Sequence, residues 1–132
     1  MFIHVNNLES CKLFNEKFRK GKWLILYYAP WCYYCKLFMD DWNEFVKTNK
    51  KNINIAMIND EQITNIKPEQ IIYGYPTVKF FLNKKKVIEF NKEKNLNNLN
   101  KFVSDNLSLK KKKTRTKKKV TNKTKRKKPT KK

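Results

Sequence analysis

The stretch from Trp23 to Phe45, WLILYYAPWCYYCKLFMDDWNEF, contains the pattern that decides the fold of this chain. Trp23–Tyr28 is an uninterrupted run of large apolar and aromatic residues, which is typical of a central strand covered by helices on both faces. After Ala29-Pro30 come two cysteines separated by two residues, and then an apolar periodicity that predicts a helix. The predicted order is strand, turn, cysteine pair and helix.

The first of these cysteines, Cys32, falls at the predicted start of the helix. Backbone N–H groups without partners and the positive end of the helix dipole lie there, and both stabilise a thiolate. Cys35 follows one helical turn later on the same side, where it can form a disulfide with Cys32. A Cys-x-x-Cys pair on its own also occurs in zinc sites, so the spacing alone does not separate redox chemistry from metal binding.

A second motif narrows the interpretation. The turn Gly74-Tyr75-Pro76-Thr77 precedes another apolar strand. Together with Tyr28–Lys36, YAPWCYYCK, it resembles the thioredoxin superfamily, and more specifically the catalytic domain of protein disulfide isomerases, over roughly residues 1–107. The resemblance implies an α/β fold, with a thioredoxin-like mixed sheet flanked by helices on both faces.

The resemblance also implies a function, that of a protein thiol-disulfide oxidoreductase. Cys32 would attack a substrate disulfide and Cys35 would resolve the resulting mixed disulfide. The implied partners are protein thiol or disulfide substrates and a reducing or oxidising partner protein, with no cofactor and no metal. In this family the turn proline has a cis peptide bond and faces the dithiol, so a cis Tyr75-Pro76 bond is implied. The substrate-binding surface that the resemblance implies consists of Trp31, Tyr33, Tyr34, Tyr75 and Pro76.

Two departures from the family bear on the chemistry. Tyr33-Tyr34 stands between the cysteines where Gly-His or Gly-Pro is usual, which leaves the redox potential open. Leu26 replaces a buried acid of the preceding strand, and Met57 replaces the lysine that accompanies it. Losing both avoids an unpaired buried charge. It also removes the group that accepts the Cys35 proton, so we expect slow resolution of the mixed disulfide.

Further elements follow from local patterns. A helix from Asn6 or Asn7 that ends at Gly21 places Cys11 on its apolar stripe, so Cys11 is expected in the core. His4, in a short edge strand, is expected to be a surface or packing residue; a zinc site would need His4, Cys11, Cys32 and Cys35 to converge. The remaining predictions are strands Ile53–Ile58, Thr77–Leu82 and Val87–Phe90, a short helical or irregular segment Gln62–Ile72 with a helix start at Pro68, and a final amphipathic helix containing Leu96, Leu99 and Leu107.

Charge separates the chain into two parts. The chain has 132 residues and a net charge of +21, and residues 108–132 hold 15 of its 32 Lys and Arg and no acid. This leaves 17 basic against 11 acidic residues, a net charge of +6, on residues 1–107. With so few apolar side chains, residues 108–132 are predicted to be a disordered tail, and residues 1–107 a single thioredoxin-like domain.

Dense basic charge of this kind binds polyanions through counterion release and is also the composition of nuclear import signals. The tail therefore predicts nucleic-acid association or nuclear targeting. The predicted polyanion-binding residues are Lys110, Lys111, Lys112, Lys113, Arg115, Lys117, Lys118, Lys119, Lys125, Arg126, Lys127 and Lys128. Because no apolar run approaches the ~20 residues of a membrane span and no export signal is recognisable, we expect an intracellular monomer, with nuclear or virion association.

One alternative remains open at this stage. The domain could be a redox-inactive thioredoxin-like binding module whose polybasic tail binds nucleic acid. The behaviour of Cys32→Ser discriminates between the two, because only an oxidoreductase loses its covalent substrate complex when this sulfur is removed.

Overall fold

The computed structural model describes the backbone of residues 1–119 and the side chains of residues 1–108. Met1–Leu99 forms one compact unit, and a second begins at Asn100. The elements are β1 (Phe2–Val5), α1 (Leu8–Lys17), β2 (Trp23–Tyr28), α2 (Tyr33–Thr48), β3 (Asn54–Asn59), a 3₁₀ helix (Asp60–Asn65), β4 (Thr77–Phe81), β5 (Val87–Glu89) and α3 (Leu96–Lys119).

The five strands form one mixed sheet in the order β1-β3-β2-β4-β5. β3 is parallel to both β1 and β2, whereas β4 is antiparallel to β2 and β5. All six residues of β2 are buried. The mixed sheet and the central position of β2 confirm the fold class that the resemblance implies.

The core lies on both faces of β2. Trp23, Ile25 and Tyr27 belong to a buried cluster that also contains Cys11 and Phe14 of α1. Because side chains alternate along a strand, Leu24 and Leu26 point to the opposite face, and both are fully buried. The buried residues of α2 are Cys35, Phe38, Trp42 and Phe45. This arrangement places the N-terminus of α2 at the end of β2, where the dithiol lies.

α1 begins as expected and ends early. The Asn7 side chain accepts a hydrogen bond from the Ser10 N–H at 2.8 Å, which completes a capping box. The predicted end at Gly21 is wrong: the helix stops at Lys17 and is capped by Phe18. Gly21 instead lies in the turn into β2 with a φ of 85°. Cys11 is buried, as predicted, and its thiol donates to Gln62 Oε1 at 3.0 Å.

The segment after β3 differs from the prediction. Its helix is a 3₁₀ helix that begins at Asp60, because the Asn59 side chain accepts from the Glu61 N–H at 2.9 Å. No helix starts at Pro68. Asn15 of α1 accepts from the Lys67 N–H at 2.7 Å and donates to the Asn65 carbonyl at 3.1 Å, and these bonds hold the chain just before Pro68 in an extended form.

α3 begins at Leu96, whose N–H donates to Asp41 of α2 at 3.0 Å. Asp41 is half-buried, and it caps this helix. Leu99 is fully buried, as predicted. The backbone of α3 is helical to Lys119, twelve residues beyond the predicted end of the domain at 107, since lysine is a good helix former and neither Gly nor Pro interrupts this stretch. Residues from 120 onward lie outside the described part. The domain boundary at 107 stays a prediction.

Candidate active site at the Cys32–Cys35 pair

Cys32 is the N-cap residue of α2. Its backbone is extended, with φ −83° and ψ 119°, and the Cys35 N–H donates to its sulfur at 3.2 Å. The Lys36 N–H donates to the Cys32 carbonyl at 3.2 Å, which continues the first turn. A backbone N–H directed at the sulfur, together with the positive end of the helix, favours negative charge on Cys32. Both cysteines are thiols in this structure, and both are buried.

The turn before β4 lies beside this sulfur. The Tyr75-Pro76 peptide bond is cis, as the resemblance implies. The Cys32 thiol donates to the Tyr75 carbonyl at 3.4 Å, so the two motifs, 43 residues apart in sequence, meet here. The Trp31 ring packs edge-on against the Tyr75 ring, with centroids 5.8 Å apart.

Exposed aromatic rings surround the buried sulfurs. Trp31, Tyr33 and Tyr34 are 70%, 66% and 67% exposed. Next to them a groove of about 560 Å³ is lined by Tyr34, Leu37, Phe38, Tyr75, Pro76, Lys92, Glu93 and Lys94. Exposed apolar side chains concentrated at one place are typical of a surface that contacts another molecule. The structure thus brings the predicted rim residues together around the dithiol; their role in substrate binding stays a prediction.

Cys35 differs from Cys32 in its surroundings. The pKa of the Cys35 thiol is raised to about 12, mainly by burial and then by its hydrogen bond with Cys32. A backbone hydrogen bond with Ala29 lowers this pKa, and the negative charges of Cys32 and Asp60 raise it. Leu26 is fully buried and lies between Met57 of β3 and Val78 of β4 in the sheet. The position at which the family carries a buried acid is therefore apolar, and so are its two neighbours in the sheet.

Asp60, directly after β3, lies beside the dithiol loop and is not among the site residues predicted from the sequence. The Trp31 indole N–H donates to Asp60 Oδ2 at 3.2 Å. Asp60 Oδ1 is buried and has no hydrogen-bond partner among the described residues. The available signal was topological: β2 and β3 are parallel, and the carboxyl ends of adjacent parallel strands are where α/β sheets place their sites.

His4 also has a partner that the sequence did not indicate. Its Nε2 is 2.5 Å from the Tyr28 hydroxyl, and burial lowers the pKa of His4. The four residues proposed for a zinc site do not converge, because Cys11 packs on the α1 face of the sheet. Within residues 1–108 no group of three or more His, Cys, Asp or Glu side chains is placed to hold a metal ion.

The predicted polyanion-binding residues fall at or beyond the limit of the described chain. Lys110 to Lys119 lie in α3, where the backbone alone is described, and Lys125, Arg126, Lys127 and Lys128 lie outside the described residues. Across the part of the chain that the structure covers, no helix combines the length and apolar character needed to cross a membrane.

Comparison with known proteins decides the family. A family profile described as Thioredoxin matches residues 5–105. This chain belongs to the thioredoxin family. Among curated proteins, a thioredoxin domain-containing protein of Theileria parva is 27% identical over 81 residues, which cover 61% of this chain and 37% of that protein. The protein disulfide-isomerase of Drosophila melanogaster is 30% identical over 102 residues, covering 76% of this chain and 20% of that protein.

Solved structures agree on the fold of this thioredoxin-family protein. The J-Trx1 fragment of ERdj5 superimposes with a TM-score of 0.62 at 20% identity, covering 81% of this chain and 52% of the fragment. Human ERp44 in its zinc-bound form gives a TM-score of 0.63 at 17% identity, covering 80% of this chain and 32% of ERp44. The chain spans less than two fifths of the length of these curated relatives. The similarity supports a domain of the thiol-disulfide oxidoreductase type.

Proposed function

We propose that this protein is a protein thiol-disulfide oxidoreductase in which Cys32 is the nucleophile and Cys35 the resolving thiol. One observation carries the proposal. The Cys32 sulfur lies at the start of α2, accepts a hydrogen bond from the Cys35 N–H at 3.2 Å, and lies beside the carbonyl that precedes a cis proline. Thiol-disulfide exchange needs a nucleophilic sulfur and a second sulfur within reach, and the placement of Cys32 and Cys35 supports these two roles.

The reaction has two steps. The Cys32 thiolate attacks one sulfur of a substrate disulfide, forming a mixed disulfide and releasing the other substrate sulfur as a thiolate. Cys35 then loses its proton and attacks the Cys32 sulfur, which forms the Cys32–Cys35 disulfide and releases the second substrate thiolate. Two electrons pass from the protein to the substrate, and the reverse sequence oxidises a substrate dithiol. A partner protein of the opposite redox state returns the pair to its starting form.

The surface around Cys32 suits a protein segment as substrate. Trp31 and the two intervening tyrosines form a wide apolar rim, and the backbone beside the cis proline gives an extended strand a place to hydrogen-bond. The buried sulfur is approached across this rim. We infer that substrates present cysteine in an extended segment with an apolar neighbour.

The first test is the equilibrium reduction potential of the Cys32/Cys35 pair by glutathione titration. A potential near or below about −250 mV would indicate a reductase, and one above about −200 mV an oxidase or isomerase. Cys35→Ser should accumulate a mixed disulfide with a substrate peptide, and Cys32→Ser should form none. Cys11→Ser, which removes the thiol on the other face of the sheet, is the control. If no Cys32–Cys35 disulfide forms at any glutathione ratio, the protein is the redox-inactive binding module instead.

For the basic C-terminal segment we propose non-specific nucleic-acid binding, with nuclear or virion association as its cellular consequence. The support is the charge itself, 15 Lys and Arg without an acid in residues 108–132. Affinity for duplex DNA should fall steeply with salt, with a slope of about −0.9 for each phosphate neutralised. Changing Lys110–Lys113 to Gln should reduce that slope and leave the reduction potential unchanged. A binding curve that does not respond to salt would contradict this part of the proposal.

A further inference from the structure

Resolution of the mixed disulfide requires that the Cys35 thiol lose its proton. Burial raises the pKa of the Cys35 thiol, so the thiol is protonated at neutral pH. On the sheet side the position of the family acid is Leu26, next to Met57 and Val78, and none of these side chains can accept a proton. A side chain that accepts this proton would therefore have to lie elsewhere in the site.

Asp60 has the placement that this acceptor needs. Tyr28 and Asn59 form the last pair of the parallel β2–β3 ladder. The dithiol loop follows Tyr28 and Asp60 follows Asn59, so both begin at the same edge of the sheet. The Trp31 indole holds Oδ2 at 3.2 Å, so the carboxylate is fixed against the residue that precedes Cys32. Oδ1 is buried and has no partner among the described residues. A carboxylate oxygen without a donor keeps its acceptor sites open for a hydrogen bond from a neighbouring thiol.

The groups around Asp60 come from each element packed there. They are the Trp31 indole before α2, the Cys35 thiol in the first turn of α2, the Tyr28 hydroxyl on β2, and the Tyr75 hydroxyl in the turn before β4. Burial first, and then the charges of Asp60 and Cys35, raise the pKa of Tyr75; the same causes act on Tyr28, where a hydrogen bond with Asn59 opposes them. Both tyrosines therefore stay protonated, and Asp60 is the carboxylate whose field reaches Cys35.

We propose that Asp60 accepts the Cys35 proton during resolution, in place of the acid that β2 lacks. This rests on the oxidoreductase function proposed above. The proton moves from Cys35 Sγ to the Asp60 carboxylate while the Cys35–Cys32 sulfur bond forms and the bond between Cys32 and the substrate sulfur breaks. The substrate leaves as a thiolate, and Asp60 returns its proton to solvent or to that thiolate. Catalytic hydrogen bonds of this kind commonly close only in the reacting complex.

Asp60→Asn tests the proposal, because it keeps an oxygen acceptor for the Trp31 indole and removes the base. In a Cys11→Ser background, Cys32 is first joined to a coloured aromatic thiol, and the release of that thiol by Cys35 is followed in a single turnover. We expect release from Asp60→Asn to be slower by about 100-fold at pH 7. Glu61→Gln removes the same charge one residue away on an exposed side chain and should release at the parent rate.

Whether release from Asp60→Asn becomes slower or faster distinguishes a proton acceptor from a negative charge that acts only on the pKa of Cys35. If Asp60 acted only through its field, its removal would favour the Cys35 thiolate and speed release. The pH profile is the second readout: release from Asp60→Asn should rise about tenfold per pH unit, following the Cys35 thiolate, while the parent stays nearly flat from about pH 6 to 8. Faster or unchanged release from Asp60→Asn would overturn the proposal, as would an equal slowing at every pH. Failure of the parent to form the Cys32–Cys35 disulfide would instead refute the function itself.

Discussion

Replacing Leu26 with Glu restores an acid at the centre of β2 and tests what the apolar strand does to the chemistry. Leu26 is fully buried, and its sheet neighbours Met57 and Val78 are also buried and apolar. The new carboxyl group would lie beneath the dithiol as a second proton acceptor for Cys35. We expect release of the substrate thiol in a single turnover to be faster than in the parent, by about tenfold.

The cost of this change follows from the burial. An unpaired carboxyl group in this site costs about 3 kcal/mol of the free energy of unfolding at pH 7, since Met57 offers no countercharge. Desolvation raises the pKa of the introduced Glu in the folded state above its unfolded value of about 4.3. An acid whose pKa is raised by folding lowers the free energy of unfolding least below its unfolded pKa, where it is protonated in both states. The loss of stability is largest above its folded pKa, where it is ionised in both states. The stability deficit should therefore grow as the pH rises from about 4 to neutrality.

The assay is single-turnover release of the aromatic thiol, together with urea unfolding at several pH values. Leu26→Gln is the matched control, because it has nearly the same size and polarity but accepts no proton at these pH values. Leu26→Glu that releases no faster than Leu26→Gln would refute the idea that the apolar position limits resolution. A stability deficit that does not change with pH would refute the account of the buried carboxyl group.

Two further predictions concern the turn into β2 and the groove beside the dithiol. Gly21→Ala should lower the free energy of unfolding by about 1–3 kcal/mol, because Gly21 has a φ of 85° and an added Cβ would lie 2.7 Å from Asn54 Nδ2. Gly74→Ala has open space for its Cβ and should cost under about 1 kcal/mol; equal losses in urea unfolding would refute this account. Lys92 and Lys94 line the groove beside Tyr34. Changing both to Glu should raise the KM for peptides with acidic residues near the cysteine more than the KM for neutral peptides, and kcat should stay largely unchanged. An equal rise in KM for both peptides would show that the charge of the groove does not contribute to substrate selection.

Much of the fold was predictable because its signals are local. The run Trp23–Tyr28 identified the central strand, and Asn7 marked the start of α1 through the capping box it forms with Ser10. Elements that depend on partners from other segments were placed wrongly. Pro68 starts no helix because Asn15, 52 residues from Lys67, holds the preceding backbone extended. Asp41 caps a helix that begins 55 residues later in the chain, a contact that no local pattern indicates.

The same division applies to the candidate site. The sequence by itself determined the cysteine pair, its position at a helix start, the aromatic rim and the apolar residue at position 26, since each is readable within a short stretch of chain. Only the tertiary structure showed that the Tyr75 carbonyl lies at the Cys32 sulfur and that Trp31, 29 residues away, holds Asp60. One oxygen of Asp60 is buried and has no hydrogen-bond partner within residues 1–108. The physical reason is that a carboxylate's neighbours, and hence its chemistry, are set by how parallel strands align their ends, which no local pattern in the sequence specifies.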